Sequence, residues 1–251
     1  MRPASVDAGA ALTAASAIGP YFETSAWVPD AGWRPLTELT RGDRAMRERV
    51  ASATAVLAGL SGSSPADLAP RVVASTVFLG LAARLVATPL AAAVVRGVLP
   101  RMSDEALWWQ PIAGGPWPLA VREPVGWPVR DVSDAVGHFA EDLRSGPVAR
   151  LVERVHADFA LSTQVLWGNV ASALVGAMTM LVAARPDRSA AAHDLVAAVL
   201  RAAPLAGTGT LDPGATRVFV RRSCCLFYRV PGGGLCADCV LVDRSGSAGP
   251  E

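Results

Sequence analysis

The chain contains no lysine: all 23 of its basic residues are arginine. With abundant Ala, Val, Gly and Pro, this points to codon usage in a GC-rich bacterial genome and is no sign of an arginine-dependent activity. Net charge is also lacking. The sum is +1, which suggests neither nucleic acid nor an anionic membrane surface as a partner. There is no P-loop. Gly207-Thr208-Gly209 fails the dinucleotide fingerprint, because the third glycine is missing and no strand–helix context surrounds it. Histidine is scarce. His138, His156 and His193 lie on expected helices, far apart in sequence, and read as surface or capping residues rather than ligands. Nothing at the N-terminus resembles a signal peptide, since Asp7 and Gly9 interrupt the stretch after Met1-Arg2-Pro3 where an apolar region should run. Without export, thiols are expected to stay reduced.

What is present is a hydrophobic fraction of 51% over 251 residues, enough for a substantial core in one large domain, or in a domain with a small C-terminal lobe. Helical spacing dominates. Arg41 to Leu60 reads as an amphipathic helix, with Met46, Val50, Ala53 and Leu57 on one side and Arg41, Asp43, Arg47, Glu48 and Arg49 on the polar side. Ser61-Gly62-Ser63 ends it. Ser64 as N-cap, Pro65 at the first position and Asp67 in the first turn start a helix towards Ala87, and Thr88-Pro89 restarts the chain as another, to about Gly97. Between Leu107 and Val129, Trp108, Trp109, Trp117 and Trp127 alternate with Pro111, Gly114-Gly115-Pro116, Pro118, Pro124 and Pro128, the pattern of a short hairpin and an irregular loop. Helices return at about Asp131–Arg144 and after Ser145-Gly146-Pro147, the latter carrying Leu151, Val155 and Phe159.

Phe159 to Ala184 carries no charge, long enough to raise the question of a membrane span. Ser162, Thr163, Gln164, Asn169, Ser172 and Thr179 argue against one, and Val170, Leu174, Met178 and Leu181 form one stripe; the expectation is a buried central helix with Ser162 as N-cap. Asp187 to Arg201 is a last helix, and Ala203 to Ala215 a Pro/Gly/Thr loop and plausible boundary. Arg217-Val218-Phe219-Val220-Arg221 alternates like a short strand, and Ser245 onward reads as a disordered tail. The expected fold is mainly α (α+β), a helical domain with a small β element. Its expected divisions are 1–215, 216–244 and a 245–251 tail.

All four cysteines stand in the last thirty residues: Cys224, Cys225, Cys236 and Cys239, in a C-C-x10-C-x2-C pattern. Thiols this close in sequence are ligands or disulfide partners. Disulfides are disfavoured by the absence of an export signal and by the strain of bonding adjacent cysteines. Zinc suits the Cys236-x-x-Cys239 half-site, but Cys224 and Cys225 are neighbours whose side chains diverge in extended structure. A [2Fe–2S] cluster relaxes that constraint, because it takes two thiolates per iron. Pro231-Gly232-Gly233-Gly234 supplies the turn that returns the second pair to the first. The arginines of this segment (Arg217, Arg221, Arg222, Arg229 and Arg244) face only Asp238 and Asp243 in sequence. They read as compensation for a negatively charged cluster, with a docking patch for an acidic electron donor as the sharper alternative.

At these residues a resemblance enters. Arg221-Arg222-Ser223-Cys224-Cys225-Leu226-Phe227-Tyr228-Arg229, followed by Cys236-Ala237-Asp238-Cys239, resembles the C-terminal signature of the FhuF-like ferric siderophore reductases. Gly19-Pro20-Tyr21-Phe22 and Leu166-Trp167-Gly168-Asn169-Val170-Ala171-Ser172-Ala173-Leu174 also look like that family, although only the cysteine segment is diagnostic. The resemblance implies a C-terminal segment in which Cys224, Cys225, Cys236 and Cys239 hold a [2Fe–2S] cluster. It also implies one-electron reduction of Fe(III) held by a siderophore, with a hydroxamate type expected. No catalytic residue is expected beyond the cluster. With no nicotinamide or flavin site of its own, such a reductase needs an external donor, a ferredoxin or flavoprotein. A cytoplasmic location is expected, with peripheral association with the inner membrane left open. The Trp-rich segment is the candidate for contacting an organic ligand, beside its plainer reading as core and structural loop. The rival function is a non-enzymatic iron–sulfur or zinc module, a sensor or assembly partner.

Overall fold

The structure, a computed structural model, describes residues 4–112, 115–212, 214–215 and 218–242. Expectations that fall on Met1-Arg2-Pro3, Gly114, Arg217, Asp243, Arg244 and the 245–251 tail lie outside the described residues.

The first third of the chain comprises β1 (Val6–Asp7), α1 (Gly9–Ser16), β2 (Ser25–Ala26), β3 (Arg34–Pro35), α2 (Thr37–Thr40) and α3 (Ala45–Ser61). The helix expected from Arg41 starts at Ala45, because Arg41 and Gly42 close the end of α2 by donating to the Thr37 carbonyl. It ends at Gly62 in the left-handed conformation (φ 63°), as the glycine there predicts. Arg49, expected on its polar face, is instead buried. Apolar periodicity gives no weight to a guanidinium that finds a carbonyl and an aromatic ring beneath the surface.

Ser64, Pro65 and Asp67 do form a capping box, but it closes a single 3-10 turn, Pro65–Asp67. Leu68 and Ala69 are extended, and α4 (Pro70–Arg96) begins at the next proline. α4 is one helix, not two: it runs through Thr88-Pro89 to a left-handed Gly97. An internal proline costs about 3 kcal/mol. Here Leu85 to Ala93 are all buried, and the Thr88 hydroxyl donates to the Phe22 carbonyl at 3.1 Å, so tertiary burial outweighs the local preference.

β4 (Val98–Pro100), β5 (Leu107–Trp109), β6 (Leu119–Val121) and β7 (Val125–Pro128) follow, with the expected hairpin between β5 and β6. Then come α5 (Val132–Ser145), α6 (Pro147–Phe159), α7 (Thr163–Ala184), α8 (Ser189–Arg201), β8 (Gly209–Leu211) and β9 (Phe219–Arg221). Asp131 caps α5 and Ser162 caps α7, each side chain accepting a backbone N–H of the first turn. The loop expected from Ala203 to Ala215 contains β8, which pairs antiparallel with β9. Gly209 lets that pairing close, since a Cβ there would lie 2.4 Å from the Phe219 ring. The remaining strands form a sheet of order β1-β7-β4 and another of order β2-β6-β5-β3, in which β2 and β6 are parallel. The protein is thus α+β with helices dominant.

α4 and α7 pack against each other through the centre of the core. Both are long and apolar enough to cross a membrane by length and composition, and 83% and 61% of their most apolar windows are buried within the fold. The stripe Val170, Leu174, Met178 and Leu181 of α7 is buried, as its periodicity predicts.

Asp142 of α5 lines a small apolar cavity with Leu85, Val86 and Pro89 of α4. Burial pushes its carboxyl up to about 7, against a weaker opposing pull from Arg101. A raised folded pKa favours the protonated fold, so this contribution is present below the unfolded value of 3.8 and lost as pH rises to about 7. Asp142→Asn should therefore leave the melting temperature unchanged near pH 4 and raise it at pH 8. A gain of about 2 kcal/mol, discounted for partial solvation, corresponds to roughly 4–8 °C. Melting curves of both proteins across this range check it, and a pH-independent difference would show that the carboxyl is not the cause.

Candidate metal centre

β9 delivers the chain from its pairing with β8 to the cysteine segment. Ser223 donates to the Gln164 carbonyl at the start of α7 at 3.2 Å. Gly168, one turn on, makes this approach possible: a Cβ there would lie 2.3 Å from the Ser223 hydroxyl. Cys224 and Cys225 follow, and Leu226 turns the backbone into the left-handed region (φ 70°) before a 3-10 turn, Phe227–Arg229. Positive-φ Gly232 and Gly234 then reverse the chain, as the glycine run predicts.

The reversal brings the two cysteine pairs together. Cys225 Sγ lies 3.1 Å from Cys236 Sγ, and no disulfide joins any of the four. Cys225 and Cys239 are buried, while Cys224 and Cys236 are partly exposed. Backbone N–H groups point at sulfur: Leu226 N donates to Cys224 Sγ at 3.3 Å, and Leu241 N to Cys239 Sγ at 3.4 Å. Burial pushes the Cys224 and Cys236 thiols up. Burial acts the same way on Cys225, but the hydrogen bonds from Cys236, the Phe227 N–H and Arg221 outweigh it and hold this thiol below the ordinary value. Among the described residues, no three His, Cys, Asp or Glu side chains are arranged to hold a single metal ion. Two cysteine pairs on the two arms of one turn, with N–H groups aimed at sulfur, are an arrangement compatible with a two-iron centre, which takes two thiolates per iron.

Beneath the sulfurs lies a buried polar network that composition and spacing do not reveal. Arg221 is 1% exposed. Its Nη2 donates to Cys236 Sγ at 3.2 Å, its Nη1 donates to Asn169 Oδ1 at 2.9 Å, and its Nε sits 2.9 Å from Asp238 Oδ2 in an ion pair. Burial pulls this guanidinium down, but Asp238, Cys225 and Cys236 outweigh it and keep Arg221 firmly charged. Asn169 Nδ2 donates to the hydroxyl and carbonyl oxygens of Ser75 on α4, at 3.0 and 3.2 Å. The Ser75 hydroxyl in turn donates to the Cys225 carbonyl at 2.7 Å. α4, α7 and both arms of the cysteine turn are thereby tied by one chain of bonds. The signal available in sequence was Gly168-Asn169 within an uncharged helix.

Residues 221–241 match the family model described as the FhuF 2Fe-2S C-terminal domain. The segment is a FhuF-type iron–sulfur domain. Its cofactor is a [2Fe–2S] cluster. The match takes in Arg221 and all four cysteines. The resemblances at 19–22 and 166–174 lie outside it, yet both segments meet α4: Pro20 and Phe22 offer carbonyls to Arg84 and Thr88, and Asn169 binds Ser75. The whole chain has no match among curated proteins.

Within the FhuF-type domain, Arg222 and Arg229 are exposed, and Arg229 lies 5.7 Å over its neighbour Tyr228. The histidines are remote in role: His138 stacks on Trp127, while His156 and His193 each place Nδ1 against a carbonyl of their own helix or its end. The Trp-rich segment builds paired rings, Trp27 with Trp108 and Trp109 with Trp117.

Proposed function

We propose that the protein is a ferric siderophore reductase, in which Cys224, Cys225, Cys236 and Cys239 are the four cluster ligands. The observation that carries this reading is the match of residues 221–241 to the FhuF 2Fe-2S domain over a turn that brings the cysteines together. When bound, the [2Fe–2S] cluster supplies a centre that takes and gives one electron at a time. The turn holds Cys224 and Cys236 towards solvent, Arg221 and the backbone N–H groups neutralise sulfur charge, and Asn169 and Ser75 fix Arg221 and the Cys225 carbonyl.

The substrate is Fe(III) in an oxygen-donor chelate. Fe(III) takes up one electron and becomes Fe(II), and no bond of the chelator skeleton changes. Hydroxamate oxygens are hard donors and hold Fe(II) far more weakly, so reduction frees the metal. A cleft of about 400 Å³ lies against Ala237 and Asp238, the two residues between Cys236 and Cys239, with Val175, Gly176 and Phe219 on its other walls. The charged side chain in that wall, Asp238, is paired with Arg221. Among the described residues the cleft carries no unpaired charge, which supports a chelate without net negative charge, as a hydroxamate provides. The electrons come from an external ferredoxin or flavoprotein, and exposed Arg222 and Arg229 suit an acidic one. The reading places the protein in the cytoplasm, and peripheral association with the inner membrane is compatible with it.

Anaerobically purified protein should be red-brown, with about two irons and two sulfides per chain, and Cys225→Ser should lose both. Reduced protein mixed with a ferric hydroxamate should reoxidise while a colour-forming trap reports Fe(II). A colourless protein holding one zinc, or an iron–sulfur protein that stays reduced in the presence of the chelate, would sink the reductase reading.

A further inference from the structure

We propose that the cleft between α3 and the end of β5 is a binding site for an organic carboxylate, gripped by Arg49. The cleft measures about 330 Å³, and its walls include Arg34, Arg49, Ser52, Trp109, Pro111 and Ile112. Arg49 is 9% exposed. Its guanidinium lies 4.8 Å over the Trp117 ring, and Nη1 donates to the Ile112 carbonyl. Its Nε is buried and, among the described residues, has no hydrogen-bond partner. Burial pulls its pKa down, and no acidic group offsets the pull. The other charges of the cleft are already matched: Arg34 donates to Glu38, and Glu48 accepts from Arg44 at 2.8 Å. One desolvated cation in the cleft wall is therefore held by a ring face and a carbonyl but, among the described residues, by no carboxylate.

Burying an unpaired charge is costly, and a carboxylate is the group whose two oxygens match a guanidinium edge. The apolar walls of Trp109, Pro111 and Ile112 select an organic body over a bare inorganic anion. This site is separate from the cysteine turn. Trp117, under Arg49, accepts from Arg84, which follows Ser75 on α4 by nine residues, roughly 13 Å of helix. The inference thus stands whether or not the protein reduces ferric chelates.

The test is titration of the full-length, cluster-loaded protein with phenylacetate and, separately, inorganic phosphate, followed by tryptophan fluorescence and calorimetry. Saturable phenylacetate binding is expected, with phosphate at least about tenfold weaker, and Arg49→Gln should weaken phenylacetate by about tenfold or more. Ser52→Phe, on the exposed side of α3, fills the cleft without touching the buried cation and should abolish binding while leaving the melting temperature and cluster spectrum unchanged. This second variant keeps the test decisive if Arg49→Gln does not fold. Absence of saturable phenylacetate binding, or binding undiminished in Ser52→Phe, would overturn the site. Phosphate binding as tight as phenylacetate would overturn its assignment to organic acids.

Discussion

Arg84→Met should destabilise the protein by about 3 kcal/mol or more, because it removes one buried cation that serves three backbone carbonyls. Arg84 is 2% exposed in the middle of α4. Nε donates to the Trp117 carbonyl at 2.7 Å, Nη1 to that of Pro20 at 2.7 Å, and Nη2 to that of Glu23. The fork spans two segments far apart in sequence, the Gly19–Thr24 loop and the approach to β6. Burial pulls its pKa down to about 10, with Glu23 opposing, so the charge is held at some cost. The carbonyls still need a donor. Methionine matches the volume and supplies none. Arg84→Lys should recover little, since an ammonium on a flexible stem cannot meet three carbonyls set for a planar fork. Urea unfolding midpoints check both variants, and a loss under about 1 kcal/mol for methionine would mean that water satisfies the carbonyls instead.

Asn169→Leu should separate the cluster segment from the fold that supports it. Asn169 is fully buried and simultaneously accepts from Arg221 and donates to Ser75. Leucine fills the space but strands a charged N–H of Arg221 and removes the donor to the Ser75 hydroxyl. The expected loss is about 2–4 kcal/mol. It should fall unevenly: the far-ultraviolet helical signal stays, while iron and sulfide retained after anaerobic reconstitution drop well below wild type. The cluster that remains should show a changed reduction potential, because the Arg221 hydrogen bond to Cys236 loses its anchor. Equal iron content and an unchanged potential would show that Arg221 holds its position without Asn169.

Much of this was legible in one dimension. The helix caps at Asp131 and Ser162, the left-handed Gly62 and Gly97, and the Trp-rich hairpin follow from local chemistry, which acts over a few residues. The cysteine turn was legible for the same reason, since its cysteines and its reversing glycines are neighbours in the chain. Pro89 and Ser64 were misleading for a related reason. Both carry strong local signals, and both were overruled by what packs around them: α4 continues through its proline because the helix is enclosed, and the Ser64 capping box is spent on a single turn.

By itself, then, the chain's order of residues determined the helical class, the iron–sulfur segment and the turn that folds it. Only the tertiary structure decided which polar residues matter inside. Arg49, Arg84, Asn169 and Arg221 carry no local mark of the partners they bind, and each is buried. A buried polar side chain is stable only where distant backbone and side-chain groups converge on it, and that convergence between segments far apart in the chain has no signature in local periodicity.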